Sequence, residues 1–150
     1  VLNASIEYVD VLTLQVGGGY HGKPWTLDDG IYDELEFNEE TFDRLFNLTE
    51  KPIYIYDHQC SYPSKDFPNT QWYQCKDLES AVECCEKFMN KALEKPYIIG
   101  YGRCQYQSKF VKKVNSLKQG LISLEGFVNN ELVNKLTAVN KDLLSKIYKN

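Results

Sequence analysis

One segment of the chain carries a helical pattern that constrains the fold more than any other feature. Apolar side chains recur after Asp77 at the 3.6-residue spacing of an amphipathic helix, namely Leu78, Ala81, Val82, Cys85, Phe88, Met89 and Ala92. Asp77 is a suitable N-cap, and Pro96 cannot continue a helix. We therefore predict a helix over about 78–94 whose apolar face must be covered by other elements.

The residues after this helix predict a strand for it to pack against. The segment 97–110 is predicted as one long strand that places Ile98, Gly100 and Gly102 on one face. Two glycines leave room for a bulky neighbour, and we expect the preceding helix to fill it. Shorter strands are predicted over 5–16, 34–37, 52–56, 71–75 and 121–127.

Two further helices complete the predicted architecture. Asn38 is a plausible N-cap for a short helix, and apolar residues recur at helical spacing over about 130–148. A length of 150 residues is typical of one domain. We therefore predict a single α+β domain spanning 1–150. Its antiparallel or mixed sheet carries the helix 78–94 on one face, and the C-terminal helix closes the structure.

All five cysteines lie in the middle of the chain. They form no C-x-x-C pair and have no histidine in zinc-finger spacing, so we expect no metal site. Our preferred arrangement among fifteen is a disulfide between Cys60 and Cys75 and another between Cys85 and Cys104. Cys84 would then be a free or intermolecular thiol. The alternative is a reduced intracellular protein whose cysteines are small core residues.

Other features favour a secreted glycoprotein. The chain starts at Val1 and its single methionine is Met89, as expected if a signal peptide has been removed. Asn3 and Asn47 each begin an N-glycosylation sequon. We therefore expect an extracellular, disulfide-stapled domain.

The charge of the chain is strongly polarised. The net charge is −4 overall, but it is −9 in residues 1–50, −1 in residues 51–100 and +6 in residues 101–150. The two ends either neutralise each other in the fold or present a dipolar surface to a charged partner. A net negative chain argues against a nucleic-acid binder. No apolar run is long enough to span a membrane.

The acidic first third supplies the candidate binding surface. Carboxylates and aromatic rings lie near one another in that part of the sequence, namely Tyr20, Trp25, Asp28, Asp29, Tyr32, Asp33, Glu34 and Glu36. Such a set attracts cations and offers cation–π contacts. We predict a binding module for a protein partner or a cationic ligand, with no cofactor. The aspartates lack the ligand order of an EF-hand, so they do not indicate calcium.

Two other classes of function remain open. His58 lies between Asp57 and Cys60 at the end of a predicted strand, where it could serve a small secreted hydrolase. The sequence contains no G-x-S-x-G, H-E-x-x-H or phosphate-binding glycine loop, so we do not expect an enzyme. An assembly protein could instead be joined through Cys84 or the C-terminal helix, giving a disulfide-linked dimer in place of a monomer.

Overall fold

The computed structural model describes residues 6–15, 26–27, 30–31, 36–56, 58, 60–70, 73–103 and 105–147. It has three α-helices among these residues: α1 (Glu39–Thr49), α2 (Leu78–Leu93) and α3 (Asn130–Ile147). All three predicted helices are confirmed. None of the helices in the described part of the chain is long and apolar enough to cross a membrane.

Local side-chain caps fix where the first two helices begin. The Asn38 side chain accepts a hydrogen bond from the Thr41 amide at 2.9 Å. Asp77 accepts from the Ser80 amide, and the Ser80 hydroxyl accepts from the Asp77 amide, at 2.9 and 3.0 Å. These bonds satisfy amide groups that have no partner within the first turn of a helix.

The central sheet contains three parallel strands: β1 (Leu12–Gln15), β4 (Ile53–Tyr56) and β7 (Ile98–Tyr101). Their spatial order follows the chain, with β4 between β1 and β7. A helix follows each strand, since α1 lies between β1 and β4, α2 between β4 and β7, and α3 after β7. The described chain therefore consists of three consecutive strand–helix units.

Each unit also contains a small strand pair between its main strand and its helix. These pairs are β2 (Thr26–Leu27) with β3 (Gly30–Ile31), β5 (Cys60–Ser61) with β6 (Tyr73–Gln74), and β8 (Lys109–Val111) with β9 (Ser116–Lys118). The first and last pairs are antiparallel and the middle one is parallel. The predicted α+β class, with strands of both orientations, is confirmed.

The helices cover one face of the central sheet. Ile53 and Ile55 are fully buried there, in one core cluster with Phe42 of α1 and Phe88 of α2. Leu143 brings α3 to the same cluster. The predicted packing of the long helix on one face of the sheet is therefore correct.

The predicted long strand over 97–110 is wrong in its length and in the face of the sheet on which it places Gly100. Regular pairing covers Ile98–Tyr101 and then resumes only at β8. Ile98 lies opposite Ile53 whereas Gly100 lies opposite Tyr54, so Ile99 is an extra residue in the strand. Such a bulge moves the residues beyond it to the other face of the sheet.

The occupant of the space above the glycines is therefore Tyr54 and not the helix. A Cβ atom at Gly100 would lie 2.7 Å from the Tyr54 ring, and one at Gly102 would lie 2.8 Å from the Tyr54 hydroxyl. An aromatic ring thus covers the strand next to its own, which only glycine permits at this distance.

Several predicted strand limits also need correction. The segment 121–127 makes only isolated β-bridges at Ile122 and then turns, because the Ser123 amide bonds to the Phe127 carbonyl and Gly126 has φ of 88°. Within 5–16, regular strand starts only at Leu12, and residues 6–8 form a turn. Residues 36 and 37 are not in a strand, while the predictions over 52–56 and 71–75 correspond to β4 and β6.

An ion-pair and hydrogen-bond network holds α1 against the segment before β7. Lys95 Nζ lies 3.0 Å from Glu39 and 3.0 Å from Asp43, and the Tyr97 hydroxyl donates to Asp43 at 2.5 Å. Among the described residues, no ion pair joins the acidic first third to the basic last third, whose Lys135 pairs with Glu79. The acidic third is thus partly neutralised by the middle third.

We expect Gly120→Ala to lower the free energy of unfolding by about 2 kcal/mol, because overpacking against backbone is costly. A Cβ atom at Gly120 would lie 2.5 Å from the Ser108 amide nitrogen and 2.6 Å from the Gln107 carbonyl carbon. Urea unfolding measures the change. In the control Gly126→Asn the new side chain enters open space, and asparagine tolerates the positive φ of this position. The control should therefore lower the free energy of unfolding by less than about 0.5 kcal/mol. Equal effects would contradict the described contact.

Asp43→Asn should weaken the acid dependence of stability. The Tyr97 hydrogen bond and then Lys95 lower the pKa of Asp43, so its contribution is present above the unfolded-state pKa of about 3.9 and is lost as pH falls through the folded-state pKa. Urea unfolding midpoints measured above and below these two pKa values report how steeply the stability falls with decreasing pH. Tyr97→Phe should reduce the slope partially, and an unchanged slope in both variants would contradict the network.

Candidate functional site

Sulfur-bearing and polar side chains gather beyond the carboxyl ends of β4 and β7. Cys60 belongs to β5, Cys75 follows β6, and Cys84 lies in α2. Their three sulfur atoms all lie within 4.8 Å of one another, and all three residues are buried. We call these three residues together with Cys85 the sulfur cluster.

The contacts within the sulfur cluster are short. The sulfur atoms of Cys60 and Cys84 lie 2.7 Å apart. Arg103, two residues after β7, places Nη1 3.9 Å from the Cys85 sulfur and Nη2 3.4 Å from the Cys60 carbonyl oxygen. The cluster thus joins β5 and α2 and is bordered by a guanidinium group.

Neighbouring side chains favour the thiolate form of Cys85. A hydrogen bond with Cys60 and the nearby His58 and Arg103 lower the pKa of Cys85 well below its usual range, although burial opposes this. The nearby side chains of Cys75, Cys84 and Cys85 raise the pKa of Cys60. Such a group of thiols can form a disulfide or bind a soft metal ion such as Zn²⁺.

His58 has a buried position in this site. Its side chain is 1% exposed, and its ring stacks on Phe88 with centroids 3.8 Å apart. It is also one of the groups that lower the pKa of Cys85. The imidazole therefore lies on the helix side of the sheet and not at a surface that a substrate could reach. This position does not favour the hydrolase alternative in which His58 acts directly on a substrate.

The structure brings together some of the predicted cysteine partners. Cys60 and Cys75 share the cluster, but no disulfide is formed among the cysteines in the described ranges. Cys104 lies outside the described residues, so the predicted Cys85–Cys104 bridge stays a prediction. Cys84 is 8% exposed, and its sulfur lies 2.7 Å from that of Cys60.

The predicted acidic and aromatic surface falls almost entirely on residues outside the described ranges. Tyr20, Trp25, Asp28, Asp29, Tyr32, Asp33 and Glu34 belong to that group. Glu36 is exposed and lines an open cleft of about 510 Å³ with Phe37, Cys84 and Lys87. Of the two sequons, Asn3 is outside the described residues, and Asn47 is exposed on α1.

Sequence reasoning missed the contribution of Arg103 and the meeting of four cysteines. Arg103 could have been found from its position just after a strand, because the carboxyl ends of neighbouring parallel strands lie at one edge of a sheet. That inference required recognising β4 and β7 as parallel neighbours. The sequence predicts Cys84 only as a free or intermolecular thiol.

No protein-family model matches the sequence, and no curated protein is similar to it. Solved structures do resemble the fold. An exo-beta-agarase matches with a TM-score of 0.73 and 15% identity over 97% of this chain and 18% of that chain. The agarase AgWH50C matches with a TM-score of 0.73 and 16% identity over 97% of this chain and 21% of the agarase.

A third structure is more distant. A beta-D-glucuronidase from Dictyoglomus thermophilum matches with a TM-score of 0.52 and 19% identity, over 90% of this chain and 23% of that chain. The chain thus spans about a fifth of the length of these glycoside hydrolases. At such identities the likeness establishes the fold, which recurs as one part of larger hydrolase chains.

We expect His58→Ala to lower the free energy of unfolding by about 3 kcal/mol, because it removes a buried ring that stacks on Phe88. Guanidinium unfolding measures the loss. Lys65→Ala, in an exposed loop, is the control and should change stability by less than about 0.5 kcal/mol. A His58→Ala protein as stable as the control would show that the ring is not packed as described.

Proposed function

We propose that this chain forms three strand–helix units of a (β/α) barrel in a carbohydrate-active protein of the glycoside hydrolase class. The observation that carries the proposal is the topology: three parallel strands adjacent in chain order, each followed by a helix. This is the repeating unit of the eight-stranded barrel. The likeness to agarase structures over 97% of this chain supports the same assignment.

The uncovered face of the sheet also supports the barrel. Parallel sheets are normally buried on both faces, but α1, α2 and α3 cover only one. On the opposite face, Thr13, Tyr56 and Ile99 are exposed. In a barrel this face turns inward and packs against side chains from the remaining strands. Further strands that cover this face would bury exposed apolar residues such as Ile99.

The proposed carbohydrate site lies at the carboxyl ends of the strands, where barrel enzymes hold their substrates. The acidic and aromatic residues predicted as a binding surface follow β1 and precede α1 in the chain. They therefore belong to the first strand-to-helix connection. Carboxylic acids are the groups that glycoside hydrolases use to protonate the leaving group and to attack or activate water. The predicted surface thus suits a carbohydrate ligand as well as a cationic one.

Tyr56 is the described residue best placed to contact such a ligand. It ends the central strand β4, lies on the face opposite the helices and is 47% exposed. An aromatic ring offers a flat apolar surface at little entropic cost, and its hydroxyl offers a hydrogen bond. We assign Tyr56 the role of stacking against a sugar ring.

Secretion and glycosylation remain part of the proposal. Exposure of Asn47 on α1 supports a glycan there, because a glycosylated side chain must reach solvent. A polysaccharide-degrading protein also meets its substrate outside the cell. The alternative of a protein or cationic partner predicts binding that weakens with salt, whereas binding of neutral sugars changes little.

The proposal is tested by affinity electrophoresis through gels containing agarose or other neutral polysaccharides. Tyr56→Ala should weaken binding about tenfold, or about 1.4 kcal/mol, because the stacking surface is lost. The matched control is Tyr8→Ala, since Tyr8 is 82% exposed but lies in the turn before β1. Equal retardation of the two variants, or no retardation of the protein by any polysaccharide, would contradict the proposal.

A further inference from the structure

We propose that Cys60 and Cys84 form a disulfide bond that ties β5 to α2. Their sulfur atoms lie 2.7 Å apart, and both side chains are buried. A disulfide places its sulfur atoms about 2.05 Å apart. The two sulfur atoms need to approach each other by only about 0.6 Å to reach that length.

The distance favours a covalent bond over the other interactions of two sulfur atoms. A thiol–thiol hydrogen bond holds sulfur atoms farther apart, because sulfur is large and the bond is weak. In a tetrahedral zinc site with bonds of about 2.3 Å, neighbouring sulfur atoms lie about 3.8 Å apart. Cys60 and Cys84 would have to separate to bind a metal together, whereas they need only approach slightly to form a disulfide.

The surrounding structure holds both residues in place. Cys60 pairs with Tyr73 in the ladder between β5 and β6, and Cys84 lies in the middle of α2. Both belong to one buried cluster with Ala81. Since neither backbone segment is a loose end, the two sulfur atoms remain neighbours without movement of the chain.

Cys85 is less suited than Cys84 to bond with Cys60. Cys85 already faces the Arg103 guanidinium, which lies 3.9 Å from its sulfur and favours its thiolate over a bonded form. A Cys60–Cys75 bond, our preference from sequence, competes directly with this pairing because both use Cys60. The predicted Cys85–Cys104 bond is compatible with it, since it uses neither Cys60 nor Cys84.

The bond forms by thiol–disulfide exchange with a low-molecular-weight disulfide such as oxidised glutathione. One thiol loses its proton and attacks the donor, which releases one donor thiol and leaves a mixed disulfide. The second cysteine, as its thiolate, attacks the protein sulfur of the mixed disulfide and releases the second donor thiol. The two protein thiols are oxidised by two electrons, and the donor disulfide is reduced to two thiols that take up the two protons.

Peptide mapping tests the pairing. The protein is incubated with oxidised glutathione, blocked with an alkylating agent at acidic pH, freed of N-glycans and digested with trypsin without reductant. The digest separates Cys60 in peptide 45–65, Cys75 in 66–76 and Cys104 in 104–109, while Cys84 and Cys85 share 77–87. Fragmentation of the linked peptides distinguishes Cys84 from Cys85.

We expect peptide 45–65 to be linked to peptide 77–87 through Cys84. A link from Cys60 to Cys75, Cys85 or Cys104 would overturn the proposal. Recovery of Cys60 and Cys84 in alkylated form would also overturn it, because only free thiols are alkylated. A bound zinc ion would also overturn the proposal. In that case elemental analysis before oxidation would find one equivalent of zinc, and the cysteines would stay unlinked after incubation with oxidised glutathione.

Two matched variants provide an independent check. Cys85→Ser should keep the link between peptides 45–65 and 77–87, whereas Cys84→Ser should remove it, because the two residues are neighbours on the same helix. Loss of the link in Cys85→Ser, with retention in Cys84→Ser, would show that Cys60 bonds with Cys85 and would overturn the proposal. If either variant fails to fold, fragmentation of the wild-type peptides still decides the pairing. This outcome is separate from carbohydrate binding, so either proposal can fail alone.

Discussion

The position of β4 between two parallel neighbours is the constraint on which the rest of the structure depends. Ile53 and Ile55 point from this strand into the core and are fully buried beneath the helices. The same strand presents Tyr54 and Tyr56 on the opposite face. Because side chains alternate along a strand, burying the isoleucines fixes the placement of both tyrosines. The strand then ends where His58 and the sulfur cluster begin.

The two faces of the sheet therefore have different roles. The helix side holds the apolar core, His58 and the sulfur cluster, which together fasten β5 and α2 beside the central sheet. The opposite side holds Tyr56 and a ring that covers Gly100. This division agrees with the proposed barrel unit, in which the inner face would pack against further strands and the strand ends would meet a ligand.

The helices could be predicted from sequence because their signals are local. Asn38 and Asp77 are N-caps in the structure, and the apolar periodicity of α2 and α3 needs no knowledge of distant residues. The strand predictions were less accurate because pairing is non-local. Nothing in the sequence around Ile99 marks it as a bulge, yet this one residue determines which face Gly100 occupies. The proximity of Cys60 to Cys84 likewise depends on how β5 packs against α2, which the sequence does not specify locally.

Amide hydrogen exchange of β1 in the intact, monomeric protein tests the barrel most directly. The Leu12 amide donates to the Pro52 carbonyl, so by the alternation of a parallel strand the Thr13 amide faces away from β4. If further strands close the sheet, the Thr13 amide is hydrogen-bonded across that edge and exchanges as slowly as the Leu12 amide. Rapid exchange at Thr13 beside a protected Leu12 would show that β1 is an open edge and would contradict the account.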